Sequence, residues 1–249
     1  MEQQTQRQLF LLLSFKGTNY HGFQVQENAV TIASTVQDAV EKVFHKRLDI
    51  KGCSRTDAGV HANAFGLTLK TDQAIPCDAL VRAMNVNLPA DIAVFDCYEV
   101  PLDFHPRYSC KGKQYVYKIW NCSVRNPFLT DQLYHFKYPL DVNLMDQAAK
   151  AFLGEHDFSA FCSSGSSVQD HVRRITQADV TREGNIVLFS VTGNGFLYNM
   201  VRIMAGTLLL AGQGKLDYAG IVKIIEGKDR ALAGQTAPAH GLCLNMVYY

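Results

Sequence analysis

The chain has 249 residues, of which 47% are hydrophobic and 19% are charged, with a formal net charge of +1. This composition excludes a disordered or low-complexity chain and indicates a globular protein with one large α/β domain or two packed halves. The near-neutral charge excludes a uniformly basic surface, although a local basic face for nucleic acid is still compatible with it.

Strand-like and helix-like patterns alternate in the first hundred residues. Leu9 to Phe15 is an apolar run typical of a buried strand. Ser34 with Gln37 forms a capping-box pattern ahead of apolar residues at helical spacing. The predicted order is strand 9–15, a helix from Ser34, strand 48–53, strand 65–69, a helix from Pro76 and strand 91–100.

A similar succession follows in the rest of the chain. Its most apolar segment, 197–211, predicts a buried helix that stops at Gly212. Gly154 is expected to close an earlier helix in the same way. The predicted order is strand 114–120, helix 144–153, strand 172–181, strand 186–191, helix 197–211, helix 219–225 and strand 242–247.

These patterns predict an α+β fold with two ferredoxin-like halves of the β-α-β-β-α-β type. The halves are expected to be fused across one largely antiparallel central sheet with a cleft between them. Residues 1–103 form the predicted N-terminal half and residues 104–249 the C-terminal half. The stretch from Val100 to Arg107 divides them but lacks the Gly/Ser composition of a flexible linker.

The cysteines and the lack of long apolar runs indicate in which cell compartment the protein is located. Seven cysteines are scattered without a C-x-x-C pair, which favours reduced thiols over a disulfide framework. No apolar run is long enough to span a membrane. We therefore expect a cytoplasmic protein with no membrane partner. His156, Asp157 and His240 do not show metal-ligand spacing, so no metal is expected either.

Lysine and arginine residues form two clusters in the sequence, and the role of each cluster has two interpretations. One lies within Arg107 to Lys118, where lysines alternate with tyrosines, and the other is Arg173-Arg174. Each is either a local basic face for nucleic acid or an ordinary solvated surface.

The segment Arg55-Thr56-Asp57-Ala58-Gly59-Val60-His61 occupies a predicted loop between two strands. Alone, Asp57 is typical of a turn residue, because an aspartate bonds to neighbouring backbone groups. A nearby Arg55 favours the charged carboxylate, which then acts as a nucleophile at neutral pH. No second carboxylate accompanies it nearby, so the paired arrangement of glycoside hydrolysis is not evident. His61 is interpreted as a structural histidine or a base.

This segment, extended to Ala62, resembles the signature of the tRNA pseudouridine synthase A family. Further segments follow in the family's order, so the resemblance covers essentially the whole chain. They are Gly17 to Gln24, Phe104 to Ser109 with Lys113 to Tyr117, Gly154 to Phe161, Gly195 to Arg202 and Ala237 to Leu242. Phe23 stands where tryptophan is common, and Lys113-Gln114 where paired arginines are frequent, and both departures affect the expected tRNA affinity or range of sites.

The resemblance implies an isomerase that converts uridine to pseudouridine at positions 38, 39 and 40 in the anticodon stem-loop of tRNA. It makes Asp57 the catalytic nucleophile and Tyr115 the ring stacked on the target uracil. Arg202 is implied to form an ion pair with Asp57, and Arg55 to help evict the uridine. Attack at C1′, attack at C6 and removal of the C2′ proton are alternative steps for Asp57. The resemblance also implies a homodimer that needs no cofactor.

Two other functions are compatible with the residues. An RNA-binding module without catalysis would bind tRNA without turnover. A nucleoside glycosidase would require a second carboxylate brought in by folding and would release free uracil.

Overall fold

The computed structural model describes residues 6–165 and 168–249, which form an α+β structure. The chain divides into two compact units. The first comprises the residues up to Lys111 together with Leu244–Tyr249, and the second comprises Gly112–Cys243. In the described part of the chain, no helix is long and apolar enough to cross a membrane.

The first unit has the element order strand, helix, strand, strand, helix, strand. Strand β1 lies between β3 and β4 and is antiparallel to both, and the short β2 pairs with β3. Its elements are β1 (Arg7–Phe15), α1 (Ile32–Phe44), β2 (Ile50–Gly52), β3 (His61–Thr71), α2 (Cys77–Asn87) and β4 (Ile92–Val100). Every strand and helix predicted for this region is confirmed, with small changes at the ends.

The core of the first unit is built on β1. Leu9, Leu11 and Leu13 are fully buried, and Leu11 lies opposite Leu67 of β3 and Cys97 of β4. The other face of β1 is also largely covered, since Phe10 is buried and Leu12 is half-buried, and this agrees with the continuous apolar run of the strand. Helices α1 and α2 supply the apolar side chains that complete this core.

The start of α1 differs from the sequence prediction. Thr31 is the N-cap, with an extended backbone, and its hydroxyl accepts a hydrogen bond from the Ser34 amide at 3.1 Å. Ser34 therefore occupies the third helical position and bonds back to the Thr31 backbone. The predicted box of Ser34 with Gln37 is wrong because the helix begins one turn earlier.

The second unit contains a mainly antiparallel sheet in which β9 lies between β5 and β8, and β7 lies beyond β8. A short β6 pairs in parallel with β5. Its elements are β5 (Gly112–Trp120), β6 (Tyr134–His135), α3 (Val142–Ala149), β7 (Gly154–Asp157), β8 (Val172–Glu183), β9 (Ile186–Gly193), α4 (Met200–Gly212) and α5 (Tyr218–Gly227).

Helix α4 is the most buried helix of this unit. Eleven of its residues are buried, and Gly206 lets residue 235 approach closely, because a Cβ at Gly206 would lie 1.8 Å from the Gln235 carbonyl oxygen. The predicted apolar helix is thus confirmed, although it begins at Met200 rather than at residue 197. The close approach places residues 234–237 alongside the helix, next to Arg202.

The prediction for 144–153 is only partly correct. Helix α3 ends at Ala149, and a single 3-10 turn continues to Phe152. Gly154 does not close the helix but opens β7, with a φ of 104°. Strands β6 and β7 were not predicted, because two and four residues are too few to show a period.

The last strand, β10 (Leu242–Tyr248), lies next to β3 in the sheet. Because of this pairing, residues 244–249 belong to the first compact unit, whereas the sequence placed all of 104–249 in the second half. The division between the units falls after Lys111 rather than after residue 103. The strand itself was predicted as 242–247, but its pairing with a strand so distant in the sequence leaves no local signal.

An ion pair holds β7 to the end of α5. Asp157 accepts from Lys228 Nζ at 2.7 Å and from the Ser159 hydroxyl at 2.5 Å. These bonds, chiefly the one from Lys228, lower the pKa of Asp157 to about 2. Because the folded state has the lower pKa, the interaction stabilises it above the ordinary value of 3.8, and this contribution is lost as the pH falls towards 2.

We therefore expect Asp157→Asn to lower the free energy of unfolding by about 1 kcal/mol at neutral pH, since the exposed Lys228 weakens the pair. The difference from the wild type should shrink as the pH falls below 3.8. Urea unfolding across this range measures it, with Glu155→Gln on the same strand as the control. A difference that is constant with pH would contradict the ion-pair explanation.

Candidate active site

The loop that carries Asp57 connects β2 to β3, as predicted. It runs from Cys53 to Val60, and the Val60 amide donates to the Asp57 carbonyl at 3.2 Å to close a tight turn. Gly59 has a φ of 79°, a conformation that side chains disfavour, so glycine is required at this point of the turn. The Asp57 side chain is thereby held at a fixed point ahead of β3.

The segment Gly17 to Gln24 packs directly on this loop. The Phe23 amide donates to the Thr56 carbonyl at 3.1 Å, and the Gly59 amide donates to the Tyr20 carbonyl at 3.2 Å. Two of the segments that carried the family resemblance therefore pack against each other. Backbone hydrogen bonds on both sides of Asp57 restrict the loop, as a preorganised catalytic group requires.

Two glycines make this packing possible. A Cβ at Gly17 would lie 2.0 Å from the Val60 carbonyl oxygen, and one at Gly22 would lie 2.4 Å from the Thr56 carbonyl oxygen. Gly22 also has a φ of 84°. Only a residue without a side chain lets the two segments approach this closely.

His61 joins the segment Gly17 to Gln24 to the start of β3. Its side chain is buried, and Nδ1 accepts a hydrogen bond from the Gly17 amide at 2.9 Å. A ring nitrogen that accepts carries no proton, so the bond assigns the neutral tautomer with the proton on Nε2. Of the two interpretations of His61, this geometry favours the structural one.

Asp91 is a supporting residue that sequence reasoning missed. The Tyr20 hydroxyl donates to one Asp91 carboxylate oxygen at 2.6 Å, and the Asn19 side-chain amide donates to the other at 3.2 Å. The Lys16 amide donates to the Asp91 carbonyl at 2.9 Å. Burial, together with the bond to Asp91, raises the pKa of Tyr20 well above its usual value, so the phenol stays protonated. No pattern near residue 91 indicates this role.

Phe23 explains one departure from the family pattern. It is buried and stacks on Phe65 of β3, with ring centroids 4.4 Å apart. Its ring also lies against Gly52 of β2, where a Cβ would come within 2.5 Å of it. The aromatic ring at this position is therefore part of the core beneath the loop.

Arg55 and Asp57 differ in their surroundings. Arg55 is exposed and, within the described residues, forms no ion pair, whereas Asp57 is half-buried. The expectation that Arg55 favours the charged carboxylate through a direct ion pair is therefore not supported. An exposed guanidinium is instead available to an incoming ligand.

Tyr115 lies on β5 of the second unit, opposite Val191 of β9. Its side chain is 6% exposed, and Phe196 packs edge-on against its ring with centroids 5.2 Å apart. The neighbouring Tyr117 is completely buried and donates to the Pro238 carbonyl at 2.8 Å, so it is a core residue.

Arg202 on α4 is half-buried and bonded within its own unit. Its Nε donates to the Ala237 carbonyl at 2.7 Å, and another guanidinium nitrogen donates to the Asn199 side-chain oxygen at 2.6 Å. The Ala237 amide in turn donates to the Arg202 carbonyl. These bonds fix the side chain, while the ion pair of Arg202 with Asp57 stays a prediction.

The residues considered for metal binding have other partners. His156 Nε2 is 2.8 Å from the Leu153 carbonyl, and Asp157 is paired with Lys228. Burial lowers the pKa of His240, and the positive charge of Arg202 lowers it further. Across residues 6–165 and 168–249, no group of three or more His, Cys, Asp or Glu side chains is arranged to hold a metal ion.

Comparison with known proteins decides the family. A family model described as tRNA pseudouridine synthase matches residues 12–109 and 148–249. The chain belongs to this family. The matched residues include the Asp57 loop, the segment Gly17 to Gln24 and Arg202, whereas Tyr115 lies between the two matched ranges. Membership in the tRNA pseudouridine synthase family makes the chain an isomerase.

Full-length relatives agree with this assignment. The chain is 46% identical over 243 residues to a tRNA pseudouridine synthase A of Acetivibrio thermocellus, covering 98% of this chain and 100% of the relative. It is 44% identical over 239 residues to one of Clostridium acetobutylicum, covering 96% of this chain and 98% of the relative. The one of Ruminiclostridium cellulolyticum is 46% identical over 244 residues, covering 98% of this chain and 100% of the relative.

Proposed function

We propose that this tRNA pseudouridine synthase isomerises uridine at positions 38, 39 and 40 in the anticodon stem-loop of tRNA, without a cofactor. The observation that carries the proposal is the Asp57 loop, which backbone bonds from Tyr20 and Phe23 hold in place. A half-buried carboxylate on a rigid inter-strand loop is a suitable reactive group for a ligand that binds over it.

The proposed reaction rearranges one bond of the substrate. The bond between N1 of uracil and C1′ of ribose breaks, the uracil rotates, and a bond between C5 and C1′ forms. C5 loses its proton to solvent, and N1 gains one. Because the product is an isomer of the substrate, no oxidant, reductant or donor group is required. Asp57 attacks C1′, attacks C6, or removes the C2′ proton, and these three steps are alternatives within the proposal.

Three further residues have proposed roles toward the uridine. Tyr115 stacks on the uracil, an interaction worth about 1 to 3 kcal/mol per base that still allows rotation in the ring plane. Because Tyr115 is 6% exposed, this role requires the surrounding side chains to open when RNA binds. Arg202 forms an ion pair with Asp57, and the exposed Arg55 helps to evict the uridine from its stack.

The proposal includes the architecture expected from the sequence. The first unit, with β1 between β3 and β4 and with β2 on β3, supports one ferredoxin-like half. The second ferredoxin-like half, the shared central sheet with its cleft, the homodimer and the cytoplasmic location are further parts of this proposal.

The proposed function is tested by tritium release. Unmodified tRNA containing uridine tritiated at C5 should lose tritium at up to three positions, because C5 exchanges its hydrogen for a bond to ribose. A tRNA with cytidine at 38, 39 and 40 is the control and should release none from the anticodon stem-loop. If the wild-type protein releases no tritium, the proposal is wrong. Free uracil in the products would instead indicate a nucleoside glycosidase.

A further inference from the structure

Directly after β4, the segment Phe104 to Ser109 forms a rigid turn in the first unit. The amides of Tyr108 and Ser109 donate to the His105 carbonyl at 3.1 and 2.8 Å. The Arg107 amide donates to His105 Nδ1 at 3.1 Å. The turn is therefore fixed by its own hydrogen bonds before any ligand arrives.

The base of this turn is anchored in the core. Phe104 packs against Phe10 and Tyr249, with ring centroids 5.3 and 5.2 Å apart. The Tyr249 hydroxyl also donates to the Pro106 carbonyl at 2.9 Å. A rigid turn on an anchored base presents its outer side chains in a defined geometry.

Those outer side chains are positive and aromatic. Tyr108 is 77% exposed and stacks with His105, their ring centroids 4.3 Å apart. The Arg107 guanidinium carbon lies 5.9 Å from the Tyr108 ring centroid, within the range of a cation–π contact. We name Lys51, His105, Arg107 and Tyr108 the basic-aromatic patch.

The charges of this patch are not neutralised within the described residues. Arg7, Arg47 and Arg82 of the same unit each form an ion pair with a carboxylate at 2.6 to 3.0 Å. Arg107 and Lys51 are exposed and have no such partner in the part of the chain that the structure describes. Burial lowers the pKa of His105, and the positive charges of the nearby Lys51 and Arg107 lower it further.

We infer that the basic-aromatic patch, which lies outside the Asp57 loop, binds the phosphate backbone of the tRNA. The inference rests on the proposed function, since it assigns a second contact for the same substrate. Arg107 and Lys51 would each contact phosphate oxygens, because exposed cations without a carboxylate are those free to displace counterions. Arg55, which has a proposed role toward the uridine, shares this property.

Within the patch, the aromatic rings orient the cation. The Tyr108 ring lies beside the Arg107 guanidinium, so less side-chain freedom is lost when a phosphate binds. The His105 ring packs against the Tyr108 ring and holds it in place. Tyr108 is accordingly a positioning residue for Arg107.

The test measures tRNA affinity against salt concentration for Arg107→Gln. The variant should weaken binding about five-fold near 0.15 M salt and reduce the slope of log K against log salt by roughly 1. The loss should appear in tRNA affinity rather than in the rate at saturating tRNA, because the proposed contact is with phosphate and not with the reacting base. Arg47→Gln is the matched control, since Arg47 is exposed but paired with Asp38 and Glu41, and its slope should not change.

The outcomes separate this inference from the proposed function. If the wild-type protein releases tritium and Arg107→Gln keeps the wild-type slope and affinity, the patch is only a solvated surface and this inference fails alone. If the wild type releases none, the proposed function fails whatever the slope. Thermal unfolding of each variant checks that the exposed substitution leaves the fold intact, and Lys51→Gln gives an independent second measurement of the slope.

Discussion

Asp57→Asn is expected to reduce tritium release from tRNA by roughly 10⁴-fold or more, because the amide is neither a nucleophile nor a base. The substitution keeps the shape of the side chain and leaves the backbone bonds of the loop unchanged. Affinity for tRNA should therefore stay close to that of the wild type, so that the loss appears in the rate at saturating substrate rather than in KM.

The control for Asp57→Asn is Asp72→Asn. Asp72 is an exposed carboxylate just after β3 in the same unit, so the substitution removes the same charge from a different place. Single-turnover tritium release with excess enzyme measures the chemical step for both variants. Full activity of Asp57→Asn would refute the assignment of Asp57, even though membership in the family would be unaffected.

Gly22→Ala has the second largest expected effect. The new Cβ would lie 2.4 Å from the Thr56 carbonyl oxygen, at a φ of 84° that alanine disfavours. The strained backbone and the clash together should lower the free energy of unfolding by about 3 kcal/mol. Because the clash is with the residue next to Asp57, activity should also fall well below that of a merely less stable protein.

Gly214→Ala is the matched control for Gly22→Ala. Gly214 has a φ of 70°, but its added Cβ would meet nothing within 4 Å. It should cost about 1 kcal/mol from backbone strain alone and leave activity at the wild-type value. Urea unfolding and tritium release below the unfolding temperature measure both variants. Equal losses for the two would show that strain alone, and not pressure on the Asp57 loop, causes the effect.

The position of the Asp57 loop was predictable from the sequence. Strand β3 begins at His61, and β2 ends at Gly52, so the intervening residues form the expected inter-strand loop. The apolar run of β1 and the apolar helix α4 were equally clear, because a local period of hydrophobic residues directly reports which face is buried. The family resemblance added a function that such periods alone do not encode.

What supports the loop was not predictable in the same way. Gly17 and His61, which share a hydrogen bond, are 44 residues apart, and Tyr20 and Asp91 are 71 residues apart. The sequence contained the segment Gly17 to Gln24 as a motif but gave no indication that it packs on the loop. Such contacts depend on how strands and loops come together, and a local pattern contains no information on that.

The sequence by itself identified the family and most of the strands and helices, and it predicted Asp57 as the reactive carboxylate. The tertiary structure decided that Thr31 rather than Ser34 caps α1, that His61 accepts a hydrogen bond from the Gly17 amide, and that residues 244–249 complete the first unit. The physical reason is the range of the interactions. Periodicity and propensity act over neighbouring residues, whereas a cap, a buried tautomer or a returning strand depends on which distant groups are within hydrogen-bonding distance.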